Sequence, residues 1–203
     1  MRCARSARTR SGSTPGARAI LHRCFAWDDR AGATGSDGPL WFPRVYQGEG
    51  RHDNPDRYGC LYLSTSALST VVEQLARFRG QRLLPSMLRR RGLPLAVADL
   101  ELDESAEVLD LDDPAVLRRE RLRPSQVATR DRTVTQAQAL ALHDRHTEAA
   151  GLRWWSTFEA QWINVTLFDR TAPRLRVREV RALTLEDPTV MQAADFFGLR
   201  AMP

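Results

Sequence analysis

Between Tyr58 and Arg79 the hydrophobic pattern changes period within one short stretch. Cys60-Leu61-Tyr62-Leu63 alternates as a strand does, and Ser64 to Ser66 breaks the run with helix-capping chemistry. Leu68, Val71, Val72, Leu75 and Phe78 then recur at helical spacing, which predicts a helix over Ala67 to Arg79. A strand that enters a helix through three polar residues obliges the chain to pack sheet against helix.

The remaining segments repeat that theme. Ala19 to Phe25, Leu95 to Leu102, Glu107 to Leu111, Leu152 to Phe158, Trp162 to Phe168 and Arg174 to Leu183 read as strands. A helix start stands at Asp112-Asp113-Pro114, a helix is expected over Thr135 to Ala149 with Gly151 as its stop signal, and Pro188 to Phe197 closes the chain as a helix. Gly80 to Gly92 reads as a basic loop or short helix. Asp28 to Pro55, dense in Gly, Pro, Asp and Asn, is a long loop region of the kind that carries function or disorder. Strands alternating with helices, and no internal repeat, argue an α/β or α+β domain.

At 203 residues and 42% apolar composition the chain suits one full-sized core. All thirty basic residues are Arg, and Arg2, Arg5, Arg8, Arg10, Arg18 and Arg23 precede any acid. Residues 1–17 are therefore expected to be a disordered basic tail, and residues 18–203 the domain. No apolar run reaches the length of a secretory core or a membrane span, which points to a cytoplasmic protein without membrane contact. Three cysteines without paired metal spacing suit a reducing compartment and structural thiols. His143 and His146 sit three apart on a polar helix face with no matching ligands, so a solvated face is expected there and no metal site. No Gly-rich phosphate loop occurs, and Ser156 lacks the context of a hydrolase elbow. The net charge of +5 could mean nucleic acid, but acids are interspersed over residues 99–159 and much of the excess lies before residue 24.

The polar residues of Gly50 to Glu73 are the ones a core does not explain. Arg51 lies in a Gly-Arg-His-Asp turn, Tyr62 faces away from Leu61 and Leu63, and Glu73 points nearly opposite the apolar stripe of its helix. Pattern alone leaves Arg51 and Glu73 readable as surface residues and Tyr62 as a cleft wall or sheet edge.

In order and spacing, these segments resemble the RES domain family. The resemblance rests on Leu21-His22-Arg23, Pro39-Leu40-Trp41-Phe42, Gly50-Arg51-His52-Asp53, Tyr58-Gly59-Cys60-Leu61-Tyr62-Leu63, Glu73, Thr135-Gln136, Trp155-Ser156 and Asn164, and spans about residues 19–200. His52 departs from it, standing where an aromatic is usual, and Cys24 follows Arg23 where some members have Tyr. The resemblance implies an α+β single domain with a central mixed, split sheet flanked by helices, similar to ADP-ribosyltransferases. It implies the toxin of a bacterial toxin–antitoxin pair that consumes NAD by cleaving the nicotinamide–ribose bond, with NAD as substrate rather than cofactor and inorganic phosphate as a candidate co-substrate. Its partner would be an Xre-like helix-turn-helix antitoxin. Within that reading Arg23 and Arg51 would bind the pyrophosphate, Tyr62 would stack on nicotinamide or its ribose, Ser156 would fix the nicotinamide end, and Glu73 would stabilise the cationic sugar or orient the ribose hydroxyls. Mono-ADP-ribosyl transfer to a protein is the alternative reaction. A non-catalytic basic module that binds nucleic acid or an acidic protein is the alternative of another class.

Overall fold

The computed structural model describes residues 19–199; the predicted basic tail lies outside the described residues. The strands are β1 (Ile20–Ala26), β2 (Cys60–Ser64), β3 (Arg89–Arg90), β4 (Leu93–Leu102), β5 (Val108–Asp110), β6 (Gly151–Trp155), β7 (Ile163–Phe168) and β8 (Leu175–Ala182). The helices are α1 (Ala67–Leu75), α2 (Pro114–Glu120), α3 (Pro124–Ala128), α4 (Arg132–Arg145) and α5 (Pro188–Phe197).

The described strands form one sheet in the order β3-β4-β1-β2-β7-β6-β5, and β8 also pairs with β4. Only β5 and β6 run parallel, so the sheet is mixed. β1 and β4 pair along their length from Ile20↔Glu101 to Ala26↔Leu95, and β2 pairs with β7 from Cys60↔Phe168 to Ser64↔Asn164. Between these halves, β1 and β2 share the single register pair His22↔Ser64. The sheet is therefore split, joined at one point and open beyond it.

Register partners share a face of a sheet, so His22↔Ser64 places His22 and Cys24 on the same face as Tyr62 and Cys60. On that face α1 and α5 cover the β1/β4 half, where Val71, Val72, Leu75, Val190 and Phe197 pack on Cys24, Leu95 and Val97. α2, α3 and α4 cover the other half, where Val116, Leu117, Val127, Ala139 and Leu142 pack with Cys60, Leu152, Trp154 and Phe168. Leu21, Phe25, Leu61, Leu63, Ala98 and Val165 form the core of the opposite face beneath Leu40. Two helical groups standing side by side over a split sheet leave a seam between them.

The sequence reading misplaces both ends of α4, which runs from Arg132 rather than Thr135, and one glycine. α4 stops at Arg145 because the Arg170 guanidinium takes the carbonyls of His143, His146 and Thr147, the last-turn acceptors a helix leaves open. Gly151 is no stop signal but the first residue of β6, where a Cβ would come within 2.1 Å of the Thr166 carbonyl oxygen on β7. α3 and the N-terminal turn of α4 also lie within a stretch without a clear helical stripe. His143 does not sit on a solvated face: its ring stacks on Tyr58 at 4.3 Å and meets Phe168 edge-on at 4.9 Å.

Candidate active site

The seam opens into two adjoining lobes that share Cys24, Gly50 and Tyr62 as a wall. The first lobe, about 240 Å³, takes in Arg51, Tyr62, Glu73, Arg132, Trp154 and Asn164. The second, about 450 Å³, takes in Arg23, Trp41, Tyr46, Glu49, Arg90 and Arg91. The second lobe falls within the about 300–1,000 Å³ of small-molecule sites, and the first adjoins it just below that range.

The turn before β2 is built to present the shared wall. Both Gly48 and Gly50 donate backbone N–H groups to one Asp53 carboxylate oxygen, at 2.9 and 2.7 Å, and the other oxygen accepts the Tyr62 hydroxyl at 2.7 Å. The same hydroxyl accepts the His52 backbone N–H at 2.9 Å. A Cβ on Gly50 would lie 2.6 Å from both the Asp53 carboxylate and the Tyr62 hydroxyl, which is why the turn needs glycine there. From α4, the Gln136 amide donates to the carbonyls of Gly48 and Gly50, each at 2.9 Å, and ties the turn to the helix. With its hydroxyl committed, Tyr62 offers the lobes a ring face; burial first, and the nearby Asp53, raise its phenol well above the ordinary value.

Arg51 projects from this turn into the first lobe and is only 5% exposed. Its Nη1 donates to the carbonyls of Val127 at 2.9 Å and Thr129 at 2.7 Å, and its guanidinium lies 4.7 Å from the centre of the Trp154 ring. Burial, and then Arg132, lower its pKa to about 10, so it stays charged at neutral pH. Arg51 therefore joins α3 to the turn as well as carrying charge into the lobe.

Glu73 lies on the face of α1 opposite Val71, Val72 and Leu75, as the helical spacing requires. Glu73 itself is exposed, and that face lines the first lobe. One carboxylate oxygen accepts the Ser156 hydroxyl at 3.2 Å and the Asn164 amide at 3.3 Å. Burial of the carboxylate raises its pKa, opposed by these two hydrogen bonds and by Arg51 and Arg132. The open side of Glu73 is the cleft itself.

Ser156 is 2% exposed and is not among the lining residues of either lobe. Its oxygen donates to Glu73 and accepts the Phe158 backbone N–H at 3.1 Å. The structure therefore brings Ser156 to Glu73 as a hydrogen-bond partner that holds the carboxylate.

Arg23 does not join Arg51. Because side chains alternate along β1, it lies on the sheet face opposite Cys24, over the Phe25 ring at 4.6 Å, and donates to the carbonyls of Gly38 at 3.3 Å and Pro39 at 2.6 Å. It lines the second lobe only, with burial lowering its pKa to about 9. Cys24, in both lobes, is held as the thiol, since burial pushes it up to about 12.

His52 turns inward. Its Nδ1 lies 2.8 Å from the Thr166 hydroxyl and its ring meets Trp154 edge-on at 5.4 Å. Thr166 also accepts the Trp154 indole N–H at 3.1 Å, leaving its one hydroxyl proton for His52.

Sequence reasoning missed Arg132, Trp154 and Asp53 as site residues. Arg132 is the first residue of α4 after the Asp131 cap, where a cation opposes the helix dipole, and that misfit was the available signal. Among the described residues, no group of three or more His, Cys, Asp or Glu could hold a metal ion.

A family model described as the RES domain matches residues 20–188. A chain of the crystal structure of the M. tuberculosis MbcT–MbcA toxin–antitoxin complex superposes with a TM-score of 0.60 at 19% sequence identity, over 90% of this chain and 89% of that one. No curated protein matches the chain by sequence.

Proposed function

The chain belongs to the RES domain family, and on that premise we propose that it is the toxin of a toxin–antitoxin pair and consumes NAD by breaking the nicotinamide–ribose bond. The observation that carries the reading is the Glu73 carboxylate, fixed by Ser156 and Asn164, in a lobe that also holds Arg51 and Arg132. The shared fold with a chain of the MbcT–MbcA toxin–antitoxin complex supports an antitoxin as partner, here an Xre-like helix-turn-helix protein.

NAD asks a site for guanidinium groups at its pyrophosphate and a carboxylate at its nicotinamide ribose. Guanidinium forks suit phosphate oxygens, each charged hydrogen bond contributing about 1.5–3 kcal/mol. Arg51 and Arg132 supply them in the first lobe. When the bond breaks, its electron pair returns to the nicotinamide nitrogen and positive charge develops on the ribose, as in glycoside cleavage. A carboxylate about 4 Å away stabilises that charge by about 4 kcal/mol at an effective dielectric of 20, roughly a thousandfold in rate. Tyr62, with its hydroxyl held by Asp53, presents a ring face to the base or sugar. Water or inorganic phosphate then takes the ribosyl carbon, and loss of NAD in the cytoplasm arrests growth.

Purified protein incubated with NAD should release nicotinamide, and Glu73→Gln should suppress it. A phosphate titration separates hydrolysis from phosphorolysis, and labelled NAD reveals transfer to protein. No release at any phosphate concentration, and no labelled protein, would overturn the enzymatic reading in favour of a binding module. Among the described residues no helix is long and apolar enough to cross a membrane.

A further inference from the structure

Between residues 19 and 199 arginine and acidic side chains nearly cancel, 24 against 25, yet six of those arginines fall between Arg77 and Arg91 with no acid among them. All six are exposed along the segment that leads from the end of α1 to β3, a basic ridge whose Arg90 and Arg91 line the second lobe. Arg91 meets a carboxylate, that of Asp37. Arg77 and Arg79 instead lie over the rings of Phe78 and Phe197, at 4.8 and 5.4 Å, Arg89 donates to the Gly92 carbonyl, and Arg90 reaches the Gln74 amide at 3.5 Å. Like charges crowd there: after burial, Arg77 and Arg91 are the next causes that lower the pKa of Arg90.

An apolar strip continues from the ridge. Arg79 covers Phe197, whose neighbour Phe196 is 41% exposed and packs on Trp162 at 5.2 Å. Leu84, within the ridge itself, is 42% exposed.

We propose that this ridge and the strip on α5 form a docking surface for an acidic segment of a partner protein in which carboxylates alternate with apolar side chains. Phosphate-rich chains fit less well. Single-stranded nucleic acid gains from stacking bases on open ring faces, and here guanidinium groups already cover Phe78, Phe197 and, through Arg91 at 4.4 Å, Tyr46. A guanidinium stacked on a ring keeps its N–H edge outward, the geometry that takes a carboxylate in a fork. The exposed Phe196 and Leu84 have no use for a polyphosphate but do receive apolar side chains. The inference does not depend on the reaction at Glu73.

Fluorescence anisotropy at low salt tests it with three labelled probes: a peptide alternating Glu and Leu, a polyglutamate, and an oligouridylate of equal charge. The Glu–Leu peptide should bind tightest, and Arg77→Glu/Arg79→Glu/Arg89→Glu should weaken it about tenfold, the combined effect of three surface ion pairs. Phe196→Ser should weaken the Glu–Leu peptide and leave polyglutamate unchanged. Failure of the Glu–Leu peptide to bind, oligouridylate binding at least as tightly, or undiminished binding by the triple variant would each overturn the proposal. Should charge reversal unfold the chain, read by its melting curve, the triple Arg→Gln variant replaces it with the same expectation. Nicotinamide release read in the same samples keeps the two proposals apart, since peptide binding by a chain inert toward NAD leaves the docking surface standing.

Discussion

His52 should make the fold sensitive to mild acid, and His52→Phe should remove that sensitivity. The imidazole is 3% exposed, between the Thr166 hydroxyl and the Trp154 ring, and burial, with Arg51 and Arg132 adding to it, lowers its pKa to about 3. In the unfolded chain the value returns to about 6.5. As pH falls through 6.5 the unfolded state therefore takes up a proton that the folded state refuses, so the stability from neutral His52 is present above that pH and is lost below it. Linkage puts the loss between pH 7 and pH 5 at about 2 kcal/mol, a fair share of the total for a small domain. Phe keeps the ring against Trp154 and lacks the proton. It also forfeits the hydrogen bond with Thr166, at about 0.5–1.5 kcal/mol, so the variant should be the less stable protein at pH 7. Urea unfolding followed by tryptophan fluorescence at pH 7 and pH 5 measures both effects, and carboxylates common to the two proteins cancel in the comparison. Equal losses of stability from pH 7 to pH 5 would refute the reasoning.

Glu73→Gln should cut nicotinamide release about a thousandfold; a rate within about tenfold of the parent's would contradict it. Because the Ser156 hydroxyl opposes the upward shift of Glu73, Ser156→Ala should move the acidic limb of the activity profile to higher pH, whereas a lowered rate with an unmoved limb would mean another role for Ser156. Arg132→Ala should raise the KM for NAD about tenfold or more through one lost charged hydrogen bond and leave the melting temperature unchanged. Arg51→Ala should lose both binding and stability, since Val127 and Thr129 lose their donor and Trp154 its cation; a variant as stable as its parent would remove the structural half of that role.

Patterns that repeat along the chain were legible without coordinates. Alternation in Cys60-Leu61-Tyr62-Leu63 and the stripe of Leu68, Val71, Val72 and Leu75 determine β2 and α1 locally, because strand and helix periods follow from backbone geometry. The order of motifs from Arg23 to Asn164 carried the family. Tyr62 facing away from Leu61 and Leu63, and Glu73 facing away from its stripe, were likewise readable, since each needs only its own element. What lay opposite them was not. Whether Glu73 met water or a cleft depended on where the split of the sheet falls, and that rests on β1 and β2 meeting at His22↔Ser64 alone.

Tertiary structure also decided which arginine does what. Arg23 and Arg51 look alike in sequence, but alternation on β1 sends Arg23 to the far face and the Gly48–Asp53 turn sends Arg51 into the first lobe, beside an Arg132 that arrives from α4. Ser156 is drawn to Glu73 across 83 residues, and Gly151 is required by a carbonyl on the neighbouring strand rather than by a helix end. Sequence by itself determined the periodic elements, their inward faces and the family, because these follow from near-neighbour periodicity and motif order, while α3 and β3, which carry no such period, waited for the fold. Only the folded chain decided the cleft, because its distances and charges come from residues that the sheet and its helices bring together from far apart.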